Sequence, residues 1–102
     1  MNGDSKVYSA GIWTVKPGKE EAFNAAWRNF AIWTFKHVPG AIRVQLFRSE
    51  DDPRMFITIG PWKYPQSLAS WRARPEFKQF FGEAKELCED IRPVSLKAIF
   101  SL

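Results

Sequence analysis

Cysteine and histidine are nearly absent from this chain: one of each, Cys88 and His37, in 102 residues. A lone cysteine cannot close an internal disulfide, and no Cys/His cluster has the spacing of a zinc finger, so a reducing compartment and no metal site are expected. Glycine is sparse and dispersed; Gly11, Gly18, Gly40, Gly60 and Gly82 form no Gly-x-Gly-x-x-Gly run or phosphate loop, and no nucleotide cofactor is expected. Long apolar runs are missing too. Arg28, Lys36 and Arg43 interrupt the longest candidate, well short of the ~20 residues of a membrane-spanning helix. The N-terminal segment Met1-Asn2-Gly3-Asp4-Ser5-Lys6-Val7 has neither a basic start followed by an apolar core nor a small-residue cleavage site, which reads as a cytoplasmic protein without a membrane partner.

What is present is a chain of 11.8 kDa, room for a single domain over residues 1–102. Its 45% apolar and 25% charged residues are ordinary for a globular protein and argue against disorder, collagen or a coiled coil. Five Trp and nine Phe are many large side chains for so small a domain to cover, and a cavity, a ligand or a second subunit is expected to take up some of them. The net charge of +4 is scattered; the nearest thing to a cluster is Arg72-Ala73-Arg74, which makes no stripe, and no nucleic acid partner is expected.

The residue patterns predict an alternation of strands and helices. Val7–Val15 is β-branched and aromatic and stops at the turn Lys16-Pro17-Gly18. A helix follows to about His37, with Glu20 and Glu21 at its positive end and Phe23, Ala26, Trp27, Phe30, Trp33 and His37 at helical spacing. Val38-Pro39-Gly40 ends it. Ile42–Phe47 alternates as a second strand, and Met55–Ile59 forms a third that ends near Gly60-Pro61-Trp62. Pro65 and Pro75 suit the first position of a short and a longer helix. In the longer one Phe77, Phe80, Phe81, Ala84, Leu87, Cys88 and Ile91 fall on one stripe. After Pro93, Val94, Leu96, Ala98 and Phe100 alternate as a last strand. The order β-α-β-β-α-β is that of an α+β, ferredoxin-like unit, a four-stranded antiparallel sheet with its helices on one face. The other face, expected to carry Arg43, Gln45, Phe47, Lys97 and Ile99, must be wet, bind something or meet a second copy.

Few residues offer chemistry. His37 is the only candidate base, although a histidine in a last helical turn more often packs and complements the helix dipole. No serine lies in a nucleophile elbow, Cys88 sits on a buried stripe, and Asp51-Asp52 occupies a turn. The aromatic residues are more suggestive. Trp62, Trp71, Phe77 and Phe81 gather around one strand-to-helix corner, where flat apolar rings suit an aromatic ligand.

The run Phe56–Trp62 followed by Ser67–Phe77 resembles the antibiotic biosynthesis monooxygenase family, and so do Val15–Phe23, Val38–Ala41 and Arg48–Pro53. The resemblance spans nearly the whole chain. It implies a homodimer whose two sheets meet as a dimeric α/β barrel, and a pocket between sheet and helices in each subunit. It also implies either a cofactor-independent monooxygenase acting on an aromatic or quinol-type small molecule, or a relative without activity that only binds a ligand or dimerises. In the first case Trp62, Trp71, Phe77 and Phe81 shape the pocket, Trp13 and Ser9 contribute from the first strand, and His37 is the base. Haem-degrading members, a less favoured reading, carry an Asn, a Trp and a His that fall here on Gly11, Trp71 and Phe81, so only the Trp is kept and haem would lack an axial ligand unless His37 reached it from the other helix. The same fold order occurs in RNA-recognition modules, but their basic-aromatic strand pattern is missing.

Overall fold

The computed structural model describes residues 7–102; the reading of the segment before Val7 as carrying no leader falls outside them. In chain order the elements are β1 (Val7–Val15), α1 (Glu20–His37), β2 (Gln45–Arg48), β3 (Met55–Trp62), α2 (Pro65–Ala73), α3 (Pro75–Leu87) and β4 (Cys88–Lys97). The sheet is antiparallel throughout, in the order β2-β3-β1-β4, the arrangement expected from the sequence. Among the described residues no helix is long and apolar enough to cross a membrane.

Strand periodicity separates the two faces. On β1 the odd-numbered residues Gly11, Trp13 and Val15 are buried, and on β3 the even-numbered Phe56, Thr58, Gly60 and Trp62. Register pairs them, Trp13 with Phe56 and Gly11 with Thr58, so all project to the side covered by the helices. α1 brings Phe23, Trp27, Phe30, Ala31 and Thr34 down onto that face, and α3 adds Phe80 and Ala84. Phe23 and Val15 are fully buried at the centre. Both proline-led helices begin where expected, with Pro65 and Pro75 in the first turn.

Two strands differ in their bounds from the sequence reading. The second strand is shorter: Ile42–Val44 is irregular, and only an isolated bridge, Ala41 with Trp62, precedes Gln45. A Cβ on Gly60 would lie 2.5 Å from the Arg43 carbonyl oxygen, so that irregular segment presses against the glycine. Pro61 fits in the middle of the sheet because its carbonyl accepts from Ile42 N–H at 3.3 Å; its missing N–H faces the side where the ladder is already broken. The third strand runs through Gly60 and Pro61 to Trp62, where the sequence reading ends it.

The last strand starts six residues nearer α3 than its alternation suggested, at Cys88 rather than Val94, and ends at Lys97. The Lys16 N–H takes the Leu87 carbonyl at 2.9 Å, one of the acceptors a helix end leaves open, and Cys88 then pairs with Val15. β4 is an edge strand, which accommodates Pro93. The bare face is corrected accordingly. Gln45 and Phe47 are on it, opposite Ile59 and Ile57, but Lys97 pairs with Val7, whose side chain packs with Trp62 on the helix side. Ile99 lies beyond the strand. The bare positions on β4 are Arg92, Val94 and Leu96, opposite Ile12, Ala10 and Tyr8.

Candidate functional site

Between the sheet and the helices lies a cavity lined by twenty-one described residues, among them every pocket residue expected from the sequence: Ser9, Trp13, Trp62, Trp71, Phe77 and Phe81. Its walls are rings. Trp62 and Trp71 meet at 5.0 Å between centroids, Trp71 and Phe77 edge to face at 4.8 Å, and Phe77 stacks on Phe81 at 5.4 Å. On the other side Phe30 stacks on Phe80 at 4.5 Å and Trp71 at 5.6 Å. The lining reaches the surface at the exposed residues Phe35, Arg43 and Pro93.

The polar groups of this cavity are organised around the tryptophans. Trp13 Nε1 donates to Thr58 Oγ1 at 3.0 Å, Trp62 Nε1 to Ser9 Oγ at 2.9 Å, and Trp71 Nε1 to Thr34 Oγ1 at 3.0 Å. A buried indole N–H needs an acceptor, and a hydroxyl that accepts one keeps its own proton to donate. Gly11 allows one of these pairs: a Cβ there would lie 2.7 Å from Trp13 Nε1, so the indole folds back over the glycine to reach Thr58.

Arg72 adds a charge. From the last turn of α2 it crosses to β4, donating from Nη1 to Ser95 Oγ at 2.7 Å and from Nη2 to the Val94 carbonyl at 3.4 Å. Burial lowers its pKa, though from so high a starting value that it stays protonated. Arg43 also borders the cavity but is exposed. Among the described lining residues there is no carboxylate, histidine, lysine, cysteine or tyrosine.

His37 is not brought to this site. It is exposed at the end of α1, its Nδ1 donates to the Trp33 carbonyl at 2.9 Å, and its ring stacks on Trp33 at 4.9 Å. The Arg74 guanidinium lies 5.8 Å from the centre of the same indole, so the three side chains form a stack outside the cavity. Sequence reasoning missed Phe30, Thr34, Thr58, Phe80 and Arg72 as lining residues. Phe80 was on a recognised stripe, and Thr58 alternates with Phe56 and Gly60, which is the signal that would have placed it on the helix-facing side.

Comparison with known proteins accounts for this arrangement. Residues 8–83 match the model of the family described as antibiotic biosynthesis monooxygenase. The chain belongs to the antibiotic biosynthesis monooxygenase family. Solved structures agree in fold. A mutant of SnoaB, a cofactor-independent oxygenase from Streptomyces nogalater, superposes with a TM-score of 0.86 at 21% identity, over 96% of this chain and 97% of that one. A Nitrosomonas europaea protein named for the same family gives 0.84 at 20% identity, over 98% and 95%. A conserved protein from Methanosarcina mazei gives 0.83 at 18%, over 91% and 92%. No curated protein matches. For a member of the antibiotic biosynthesis monooxygenase family, the haem positions are informative: Phe81 offers no donor atom and His37 lies away from the cavity, so these residues do not fit haem. Among the described residues no three of His, Cys, Asp and Glu come together as a metal site.

Proposed function

We propose that this protein is a cytoplasmic, homodimeric monooxygenase that acts, without metal, flavin or haem, on an aromatic or quinol-type small molecule held in the ring-walled cavity. The observation that carries this reading is the cavity itself: flat aromatic walls, with three hydroxyls each engaged by an indole N–H. Stacking against Trp62, Trp71, Phe77 and Phe81 would orient a planar ligand and exclude water from it. The hydroxyls of Ser9, Thr34 and Thr58 can donate to the ligand's oxygens and favour its enolate form. An electron-rich ring carbon in that form reduces molecular oxygen directly. For a methylene flanked by phenolic rings, one oxygen atom ends as the new carbonyl, and the other leaves as water with the two methylene hydrogens. His37, stacked on Trp33, has no part in this scheme.

The enclosed space is about 60 Å3, against about 150 Å3 for an apolar cavity that admits benzene. Binding a fused ring system therefore requires the wall side chains to give way. Oxygen uptake in the presence of an anthrone is the direct test. Uptake above the buffer rate that falls at least about tenfold in Thr34→Val supports the proposal, since removing a single stabilising donor typically costs this much or more. A second reading, a non-catalytic binding domain, is favoured by the absence of any proton-accepting side chain among the described lining residues. Quenching of tryptophan fluorescence by the anthrone without oxygen uptake would decide for it.

A further inference from the structure

The cavity has a polar end. Ser95, which accepts from Arg72 Nη1, is the register partner of Ser9 on the neighbouring strand, and Ser9 in turn accepts from the Trp62 indole. Side chains paired across an antiparallel ladder stand about 5 Å apart at Cβ. The Arg72 guanidinium, the Ser9 hydroxyl and the edge of Trp62 thus converge where α2 meets β1 and β4. Arg72 is half-buried, and its described partners, a hydroxyl and a backbone carbonyl, are both neutral. A guanidinium with neutral partners, partly withdrawn from water, gains most from an anionic one. The lining that surrounds it contains no described side chain able to take a proton from a ligand.

Those two facts constrain the ligand together. We propose that Arg72 makes the cavity selective for aromatic ligands that are already monoanions at neutral pH, with the anionic oxygen set between the Arg72 guanidinium and the Ser9 hydroxyl. The class is a fused ring bearing either a carboxylate or a hydroxyl made acidic by conjugation to a carbonyl. A neutral hydroquinone of the same size is the poorer ligand. This inference rests on the cavity being the ligand site. For the acidic-hydroxyl members it also removes the need for a protein base in the proposed oxygenase, because their electron-rich anion is formed in solution before it enters.

Calorimetric titration of the full chain with four probes tests it: 2-naphthoate and 2-hydroxy-1,4-naphthoquinone as the two kinds of anion, 2-naphthol and 1,4-naphthoquinone as neutral rings. At least one anion should bind about tenfold or more tightly than its neutral counterpart, and which one does so identifies the anionic group preferred. Arg72→Gln should abolish the preference, and Arg72→Lys should restore part of it. Far-ultraviolet dichroism reports that each variant is folded. If Arg72→Gln does not fold, acidification of the wild type decides. Affinity for 2-hydroxy-1,4-naphthoquinone should then fall about tenfold as that ligand is protonated, with 1,4-naphthoquinone unaffected. Equal affinity for anions and neutral rings, or a preference that survives Arg72→Gln, overturns the inference and leaves the cavity as a ligand site. Failure of all four probes to bind overturns both.

Discussion

At the scale of single residues, the indole-hydroxyl pairs set much of what this cavity can tolerate. Thr58 is buried at 6% exposure and holds the N–H of Trp13, itself at 5%. Thr58→Val keeps the shape and strands that donor, which should cost about 1–3 kcal/mol. Thr58→Ser keeps the acceptor and loses one methyl, a cost of about 0.8 kcal/mol. Urea unfolding should therefore rank serine above valine, and the reverse order would show that the bond contributes little. Cys88 makes a contrasting case. Burial pushes its thiol up to about 11, with nearby Lys16 acting weakly in the other direction. Alkylation by iodoacetamide at pH 8 should be far slower in the native protein than in urea. Because the unfolded thiol ionises near 9, this residue's contribution to stability is intact below that pH and is lost as pH rises through about 11. The ring walls were legible in the sequence because Trp62, Trp71, Phe77 and Phe81 are large, flat and close in the chain. Thr34 and Thr58 were not, since a threonine looks the same whether its hydroxyl meets water or an indole 37 or 45 residues away. His37 was misleading for a related reason: its spacing matched the apolar stripe, but the stripe turns outward by the last turn of α1, and a ring there stacks on Trp33 instead.

At the scale of elements, periodicity located each strand and helix but not where some of them exchange. Leu87, Cys88 and Ile91 fit a helical stripe, and Cys88 and Ile91 also fit an edge strand with exposed neighbours. What decides between them is the backbone of Lys16, which takes the Leu87 carbonyl and starts the pairing with β1. That contact spans 71 residues of chain and leaves no local mark. The early part of β2 failed for a similar reason, since alternation over Ile42–Leu46 was sound as a pattern while Pro61 on the adjacent strand could not donate to it. Two glycines test this account. Gly60→Ala would put a methyl 2.5 Å from the Arg43 carbonyl, where backbone must move, and should lower stability by at least about 1 kcal/mol. Gly82 lies within α3 with nothing near the position of its missing Cβ. Gly82→Ala should raise stability by about 0.5–1 kcal/mol, because alanine has the better helix propensity and a more restricted unfolded state. Thermal unfolding of the two variants should move Tm in opposite directions, and a neutral Gly60→Ala would remove the close approach from the explanation of the broken strand.

At the scale of the whole molecule, the unexplained surface is the face of the sheet away from the helices. Its central rows bring Ile12 beside Ile57, Ala10 beside Ile59, and Phe47 beside Ile57. Phe47 is 47% exposed, Leu96 43% and Ile57 39%, while thirteen of the described hydrophobic residues are buried on the opposite side. Contiguous apolar residues of this kind across four strands mark an interface rather than a wet surface. A second copy suits the face, because a two-fold axis through the middle of a sheet matches each apolar row with its own equivalent. The bare face was visible in the sequence through the element order alone, whereas its membership needed the register of β4, which moved Lys97 off it and Val94 and Leu96 onto it. The dimer proposed here can be tested at that centre. Ile57→Arg places a charge where Ile12, Phe47 and their symmetry mates would close, and an unpaired buried charge costs several kcal/mol. Sedimentation equilibrium should show the wild type as a dimer and Ile57→Arg as a folded monomer with unchanged far-ultraviolet dichroism, since the side chain points away from the core. The cavity lies on the opposite face, and its lining includes Ile59 and Ala10 from the sheet between. Ligand binding by the monomer should accordingly persist with weaker affinity if the partner only stiffens the sheet. A wild-type protein that sediments as a monomer at all concentrations would remove the second copy as the explanation of this face.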